Sequence, residues 1–407
     1  MKLTDLFTPS YQNNIPRLFV YTMLANSMLF LPVWVIFLQV ERGLTLAEVT
    51  LTDVAYWLTM VLVGLLAGAL ADIRGRKFTL MTAIGMSALS LSFFALAPTF
   101  PLLMIANSMW AASSMLGFGA EVALLYETLK ITGQAADYTR LRGRFTAFAF
   151  GSVALSSVLG GLIGEVNLQL PFFISSGLWG FAFVILAGIK EPPPELDDMS
   201  GERLSYAKTI LQTLDQLRQQ INLRYVLLYS TFLPLSISMV IVLFLQPYAL
   251  SIGLPIAVFG VLSSGLQGIR MLGSASASRL EERLGEWRLF TVAPLLAASG
   301  LVILGLLQHW SGILLFALSC YAMAGARPTV EKVILRYSPG QVRASIFSVD
   351  MMISRIFLIT IEPLAGLFGD RFGLPLLFVL LGLFTLLILY FLLLGWKRVW
   401  EPDYLGL

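Results

Sequence analysis

The 407-residue sequence predicts an all-α membrane protein, with twelve transmembrane helices arranged as two pseudo-symmetric six-helix bundles. Three observations lead there. Hydrophobic residues make up 57% of the chain, charged residues only 13%, and mean hydropathy is +0.81, which excludes an ordinary soluble domain. The apolar residues fall into twelve runs near the roughly 20 residues that a helix needs to cross a bilayer. Finally, the second half of the chain weakly repeats the first.

Read in order, the expected spans of the first half cover 15–39, 48–71, 78–97, 101–126, 144–165 and 170–189. The first run is long, follows Arg17 and has no small-residue cleavage site, so it reads as a retained span rather than a leader. Lys190-Glu-Pro-Pro-Pro194 then stops the sixth span. In the segment that follows, Leu204, Ala207, Leu211, Leu214, Leu217 and Ile221 recur every three or four residues, the pattern of an amphipathic helix lying on the membrane surface. The second six spans are expected at 224–249, 255–277, 289–308, 312–335, 344–368 and 374–396. The domain division is therefore 1–190, a linker at 191–223, and 224–407.

Three paired stretches carry the repeat, each offset by about 205–215 residues. Phe37-Leu38-Gln39 with Gly43-Leu44-Thr45 answers Phe244-Leu245-Gln246 with Gly253-Leu254-Pro255. Gly161-Leu-Ile-Gly164-Glu165 answers Gly366-Leu-Phe-Gly369-Asp370, and Asp72-Ile73-Arg74-Gly75 answers Glu282-Arg283-Leu284-Gly285.

Charge sets the expected orientation. With the N-terminus inside, 22 of the 27 Lys and Arg residues fall on the inner side, only Arg42 and Arg371 fall outside, and Arg270, Arg327 and Arg355 lie within spans. This is the asymmetry of the positive-inside rule, so both termini are expected in the cytoplasm of a plasma-membrane protein. The cations are membrane anchors, and no nucleic-acid partner is implied. The single cysteine, Cys320, leaves no intramolecular disulfide and no cysteine-based metal site. No cofactor is expected.

Between the second and third spans lies Gly68-Ala-Leu-Ala-Asp72-Ile-Arg74-Gly75-Arg76-Lys77. Small residues allow two helices to approach, Gly75 permits a tight reversal, and the cations hold the turn on the inner face. The run resembles the loop signature of the major facilitator superfamily, with Gly68, Asp72, Gly75, Arg76 and Lys77 in place and Ile73 where a basic residue is usual. The resemblance implies transport by alternating access, around a cavity between two six-helix halves. It also implies a latch: Asp72 would face the N-terminus of helix 11, with Arg144 as a second partner. Helices 1, 4, 7 and 10 would line the cavity, which nominates Asn26, Phe30 and Trp34 as substrate-binding residues. Helices 2 and 11 would face each other, which brings Asp53 and Glu362 forward as proton-coupling carboxylates. Glu121, deep in helix 4, is a second proton site.

Ionisable side chains within spans are costly and are functional candidates by default. Arg270, Arg327 and Asp350 fall at one depth, about 9–14 Å from the inner edge at 1.5 Å per residue. Arg327 and Glu331 are four residues apart and can pair along one face, and Asp350 can neutralise Arg270, giving a charge network of Arg270, Arg327, Glu331 and Asp350. Arg355 lies near the midplane with no acid at its depth on the same helix, so it is expected to meet either an anionic substrate group or a structural partner. Glu127 is expected to pair with Lys130, Arg140 or Arg144.

The resemblance to proton-driven drug exporters is incomplete. Gly117-Phe-Gly119 is present, but Ser113 stands where those proteins carry an arginine. Gly151, Gly160, Gly161 and Gly164 keep the glycines of helix 5 without the usual proline. The expected function is secondary transport of a small molecule, foremost efflux of hydrophobic or amphipathic compounds with proton coupling, by a monomer in the bilayer. The alternative is an organic-anion transporter using Arg355 and Arg327. A lipid scramblase or membrane enzyme is the reading of another class, and the absence of a phosphate loop, metal-ligand cluster or nucleophile–histidine pair argues against it.

Overall fold

A computed structural model describes residues 11–117, 120–193, 220–338 and 343–397. The amphipathic linker stripe falls almost entirely outside these residues. Among them the chain is helical throughout, without strands, and eleven helices are long and apolar enough to cross a membrane. The first half contains α1 (Tyr11–Ala25), α2 (Leu46–Arg74), α3 (Arg76–Leu96), α4 (Phe100–Ile131), α5 (Tyr138–Val166) and α6 (Leu170–Ala187). The second contains α7 (Ile221–Ser251), α8 (Ile256–Ala275), α9 (Ala277–Leu307), α10 (Trp310–Tyr337), α11 (Arg343–Phe372) and α12 (Leu374–Lys397). The chain is a multi-pass membrane protein, and for spans 2 to 12 the expected segments and observed helices coincide closely, apart from extended ends.

The first span is the exception. It is expected as one helix over 15–39, but α1 stops at Ala25 and helical structure resumes only at Trp34, running through a π-helical stretch at Phe37–Glu41. The loss of intrahelical bonds is answered by one tertiary partner and one local one. Leu29 donates its backbone N–H to Ser175 Oγ on α6 (2.9 Å), and the Asn26 side chain bonds the Thr22 carbonyl (2.8 Å). Helix α5 makes room for the broken segment: a Cβ on Gly160 would land on the Leu29 carbonyl, and one on Gly164 would crowd Val33.

The molecule divides into two compact units. Unit 1 comprises Met1–Asp197 and Pro255–Ser264, and unit 2 comprises Asp198–Leu254 and Gly265–Leu407. Within unit 1, α2 opens with a reciprocal capping box: Thr45 N–H donates to Glu48 Oε2 (2.9 Å) and Glu48 N–H to Thr45 Oγ1 (3.2 Å). Buried Arg17 donates to the Gly188 carbonyl at the end of α6, where a cation complements the helix dipole. The neighbouring Asn14 exchanges hydrogen bonds with the Lys190 backbone (2.9 and 3.0 Å). The Pro255–Ser264 segment lies against α5. There Gly161 and Gly260 let the backbones meet, Ser264 Oγ donates to the Ala154 carbonyl (2.8 Å), and the Glu165 carboxylate accepts the Ala257 N–H (2.9 Å). Glu165 therefore caps the first turn of α8.

Unit 2 is organised around α7, α9, α10 and α12. Tyr229 and Tyr248 of α7 are buried and donate to the carbonyls of Phe290 (3.0 Å) and Leu304 (2.8 Å) on α9, so each phenol carries its hydroxyl to a partner.

The repeat inferred from sequence is visible in the backbone. Gly75 and Gly285 both have positive φ with the same ψ (89°/158° and 75°/158°), and Gly43 and Gly253 are both left-handed, at φ 67° and 82°. Span 7, like span 1, contains a π-helical stretch, at Val240–Phe244.

Candidate functional site

Polar side chains inside the bilayer region gather in two places, one in each unit. In unit 2 the centre is Arg327 on α10. Its Nε donates to Glu331 Oε1 (2.8 Å), one turn along the same helix, as the spacing predicts. Its Nη1 donates to Ser230 Oγ on α7 (2.9 Å), and Nη2 lies 3.8 Å from Asp350 Oδ2 on α11. Asp350 is 4% exposed and accepts from both Ser230 Oγ (3.0 Å) and Thr231 Oγ1 (2.8 Å). Ser230 therefore links the guanidinium to the carboxylate, accepting from one and donating to the other. The group joins two carboxylates and two hydroxyls to one guanidinium, so with both acids ionised it carries one negative charge.

One member of the expected network is elsewhere. Arg270 does not meet Asp350: it is exposed and donates to Gln267 Oε1 (3.1 Å) on its own helix. Residue counting gives height along a helix but not the side from which a side chain projects. Arg355 is half-buried on α11 and is not without a partner.

In unit 1, Thr22 Oγ1 on α1 donates to Glu121 Oε1 on α4 (2.7 Å), and the Thr22 carbonyl receives both the Asn26 backbone and side chain. Glu121, Thr22 and Asn26 thus form one polar strip beside the break in span 1. Deeper, Asp53 on α2 is 6% exposed and faces Asn107 on α4, whose Nδ2 donates to the Thr52 carbonyl (2.9 Å) and lies 3.5 Å from Asp53 Oδ1. Asn107 is a member of this site that sequence reasoning missed. An amide four turns from any charge gives no local signal. Glu362 is buried to 2% on α11, just before Pro363, and is not without a partner.

Phe30 and Trp34, expected on a cavity surface, are nearly buried within unit 1, where with Asn107, Trp110 and Phe172 they line a small apolar cavity. They are 3% and 9% exposed, and the Phe30 ring packs against Trp110 (5.3 Å), Phe172 (5.6 Å) and Trp179 (5.8 Å). The break in span 1 turns that face inward. Of the three residues nominated there for substrate, only Asn26 keeps a partly exposed position.

At the basic end of unit 1, Gly75 is left-handed as the turn requires, and α3 begins at Arg76. Arg76 of the signature turn pairs with Glu127 of α4, a partner that the sequence did not bring forward for that acid. Arg144 is exposed and makes no ion pair among the described residues. Gly68 and Asp72 lie in α2, with side chains outside the described set. Lys77 donates its backbone N–H to the Glu191 carboxylate (3.0 and 3.1 Å) and its ammonium to the Ala187 carbonyl (2.9 Å). Among the described residues, no cluster of three or more His, Cys, Asp or Glu side chains could hold a metal ion.

A bundle of membrane helices with a left-handed signature turn and charged side chains between the helices is an architecture that membrane transporters use. The family model of the Major Facilitator Superfamily matches residues 18–357, and the chain belongs to that superfamily; it is a transporter and not an enzyme. Among curated relatives, it is similar to the quinolone resistance protein NorA of Staphylococcus aureus strain MRSA252 (22% identical, over 43% of this chain and 44% of that protein). It is likewise similar to multidrug resistance protein 1 of Bacillus subtilis strain 168 (28% identical, over 37% and 39%). The matched region thus spans less than half the length of these relatives. Among solved structures, the fold resembles the nucleoside transporter NupG (TM-score 0.79, 12% identity, covering 95% of this chain and 99% of that one). It also resembles the D-xylose-proton symporter (TM-score 0.65, 13% identity, covering 92% and 97%).

Proposed function

We propose that the protein is a proton-coupled exporter of hydrophobic and amphipathic compounds, with cations preferred. The observation that carries this reading is the state of Arg327. Its guanidinium is engaged by Glu331, Ser230 and Asp350, and with both acids ionised the group as a whole is one negative charge in excess. A substrate anion would have to displace a 2.8 Å ion pair, whereas a cation or a proton would be attracted to the partly exposed Glu331. The resistance proteins named above, similar over part of their length, support export. The nucleoside and xylose transporters share the fold alone.

In this account Glu331 and Asp350 form the carboxylate group of unit 2, while Asp53, Glu121 and Glu362 are the other proton carriers. Alternating access uses the Gly68–Lys77 turn as an inner latch. One proton on Glu331 or Asp350 neutralises the empty group, and a cation arriving at Glu331 displaces that proton, so the competition couples the two movements.

Adding ethidium to weakly buffered, purified protein should release protons in proportion to bound dye, and Glu331→Gln should abolish the release while leaving the protein folded. Proton release of unchanged size in Glu331→Gln would remove Glu331 from the coupling path. Stabilisation by organic anions rather than by ethidium would favour the organic-anion reading through Arg327 and Arg355.

A further inference from the structure

Helices α9 and α12 pack against each other in unit 2, and their spacing changes along the pair. At one end they touch. A Cβ on Gly305 would strike the Pro375 carbonyl, and one on Gly382 would crowd the Ala298 carbonyl and Val302. At the other end bulk replaces glycine. Trp287 and Thr291 of α9 face Tyr390, Leu393 and Leu394 of α12 across an open groove of about 610 Å³. The two ring systems do not allow the backbone approach that glycine permits, so the helices part there. Tyr390 is 58% and Leu394 46% exposed, so the groove opens outward, toward the bilayer around these spans.

This is also the basic end of the pair. Arg288 follows Trp287 just beyond the Gly285 turn and is exposed, as are Arg279 and Arg283 before the turn. The acids nearby are mostly engaged. Glu286 pairs with Arg336 (2.6 Å) and Lys332 (3.0 Å), and Glu281 accepts from Lys332 and from Thr329 Oγ1 (2.8 Å), which leaves Glu282 as the exposed acid of the stretch. Arg288 makes no ion pair among the described residues. A Trp and a Tyr beside apolar side chains, with a free-standing guanidinium above them, match the headgroup boundary of a membrane. Rings sit at the interface, and a long cationic side chain reaches phosphate level.

We infer that the groove between Trp287 and Leu394 seats one anionic phospholipid of the surrounding bilayer. An acyl chain lies along Tyr390, Leu393 and Leu394, and Arg288 holds the phosphate, which a guanidinium can meet with two N–H donors at once. The preference for an anionic headgroup follows from charge. Three exposed arginines against one exposed acid attract a net negative lipid, whereas a zwitterion brings its own cation to a surface already in cationic excess. The lipid fills the gap that the aromatic rings hold open. Helices α9 and α12 are then braced at both ends, by direct backbone approach at one and through lipid at the other.

Native mass spectrometry of the purified full-length protein in detergent tests this, and does not depend on what is transported. The probes are phosphatidylglycerol and phosphatidylcholine with identical acyl chains. The wild type should retain phosphatidylglycerol in preference. Arg288→Gln should weaken that binding about fivefold, the effect of one cation near a membrane surface, and leave phosphatidylcholine unchanged. Leu394→Trp, which fills the groove, should lower the binding of both lipids. Arg140→Gln, which removes an exposed cation from α5 of unit 1, should change neither. If Leu394→Trp does not yield folded protein, the comparison of Arg288→Gln with Arg140→Gln decides alone. Equal retention of the two lipids by the wild type overturns the proposal. So do equal losses in Arg288→Gln and Arg140→Gln, which would mark a diffuse charge effect. Full retention of phosphatidylglycerol in folded Leu394→Trp overturns it as well, since the lipid would then sit elsewhere.

Discussion

Gly160→Ala should destabilise the protein by about 1–3 kcal/mol and sharply lower transport, whereas Gly151→Ala, on the same helix, should be neutral or slightly stabilising. The difference is one of space. A Cβ at Gly160 would meet the Leu29 carbonyl, a backbone atom in the broken part of span 1 that cannot rotate away, while a Cβ at Gly151 meets nothing within 4 Å. The close approach is what the break requires: Leu29 is held by Ser175 from one side and by α5 from the other. Thermal unfolding of the purified variants checks it. Equal midpoints for Gly160→Ala and Gly151→Ala would mean that span 1 does not need this crossing.

The second large effect belongs to the charge group of unit 2. Arg327→Gln should abolish transport and cost roughly 2–4 kcal/mol, because it leaves the buried Asp350 with hydroxyl partners only. The figure is set below that for a fully buried pair because the Arg327 side chain is 41% exposed and partly screened by solvent. Asp350→Asn in the same background should restore part of the stability, since the uncompensated charge is gone, but not the transport. A double-mutant cycle on thermal unfolding should return a coupling of about 1–2 kcal/mol. Strict additivity would show that Arg327 and Asp350, 3.8 Å apart, do not act on each other.

The sequence made the helices legible because a membrane span is a property of local composition. The turns at Gly75 and Gly285 were legible too, since each glycine sits in a short charged stretch between two apolar runs. The Arg327–Glu331 pair followed from helical spacing alone. What failed shares one cause. The break after Ala25 is stabilised by Ser175 and Gly160, more than 130 residues away, and Pro32 by itself signals only a kink. Once the segment unwinds, the face carrying Phe30 and Trp34 turns into unit 1, around a small apolar cavity, a placement that helical position alone does not give. Arg270 had the depth of Asp350 but not its direction, because counting residues fixes height in a helix far better than its rotation against unknown neighbours. Glu127 was matched to cations nearby in the chain, and the pairing with Arg76 of the signature turn, 51 residues earlier, was not foreseen.

The central claim is that an excess of carboxylate over guanidinium at Arg327 couples export of an amphipathic cation to protons. Reconstituted vesicles carrying an imposed pH gradient, with ethidium as the transported probe, test it most directly. The account predicts gradient-driven ethidium movement that collapses when the gradient is dissipated and is absent in Glu331→Gln. Ethidium movement indifferent to the gradient, or gradient-driven movement fully retained in Glu331→Gln, would contradict it.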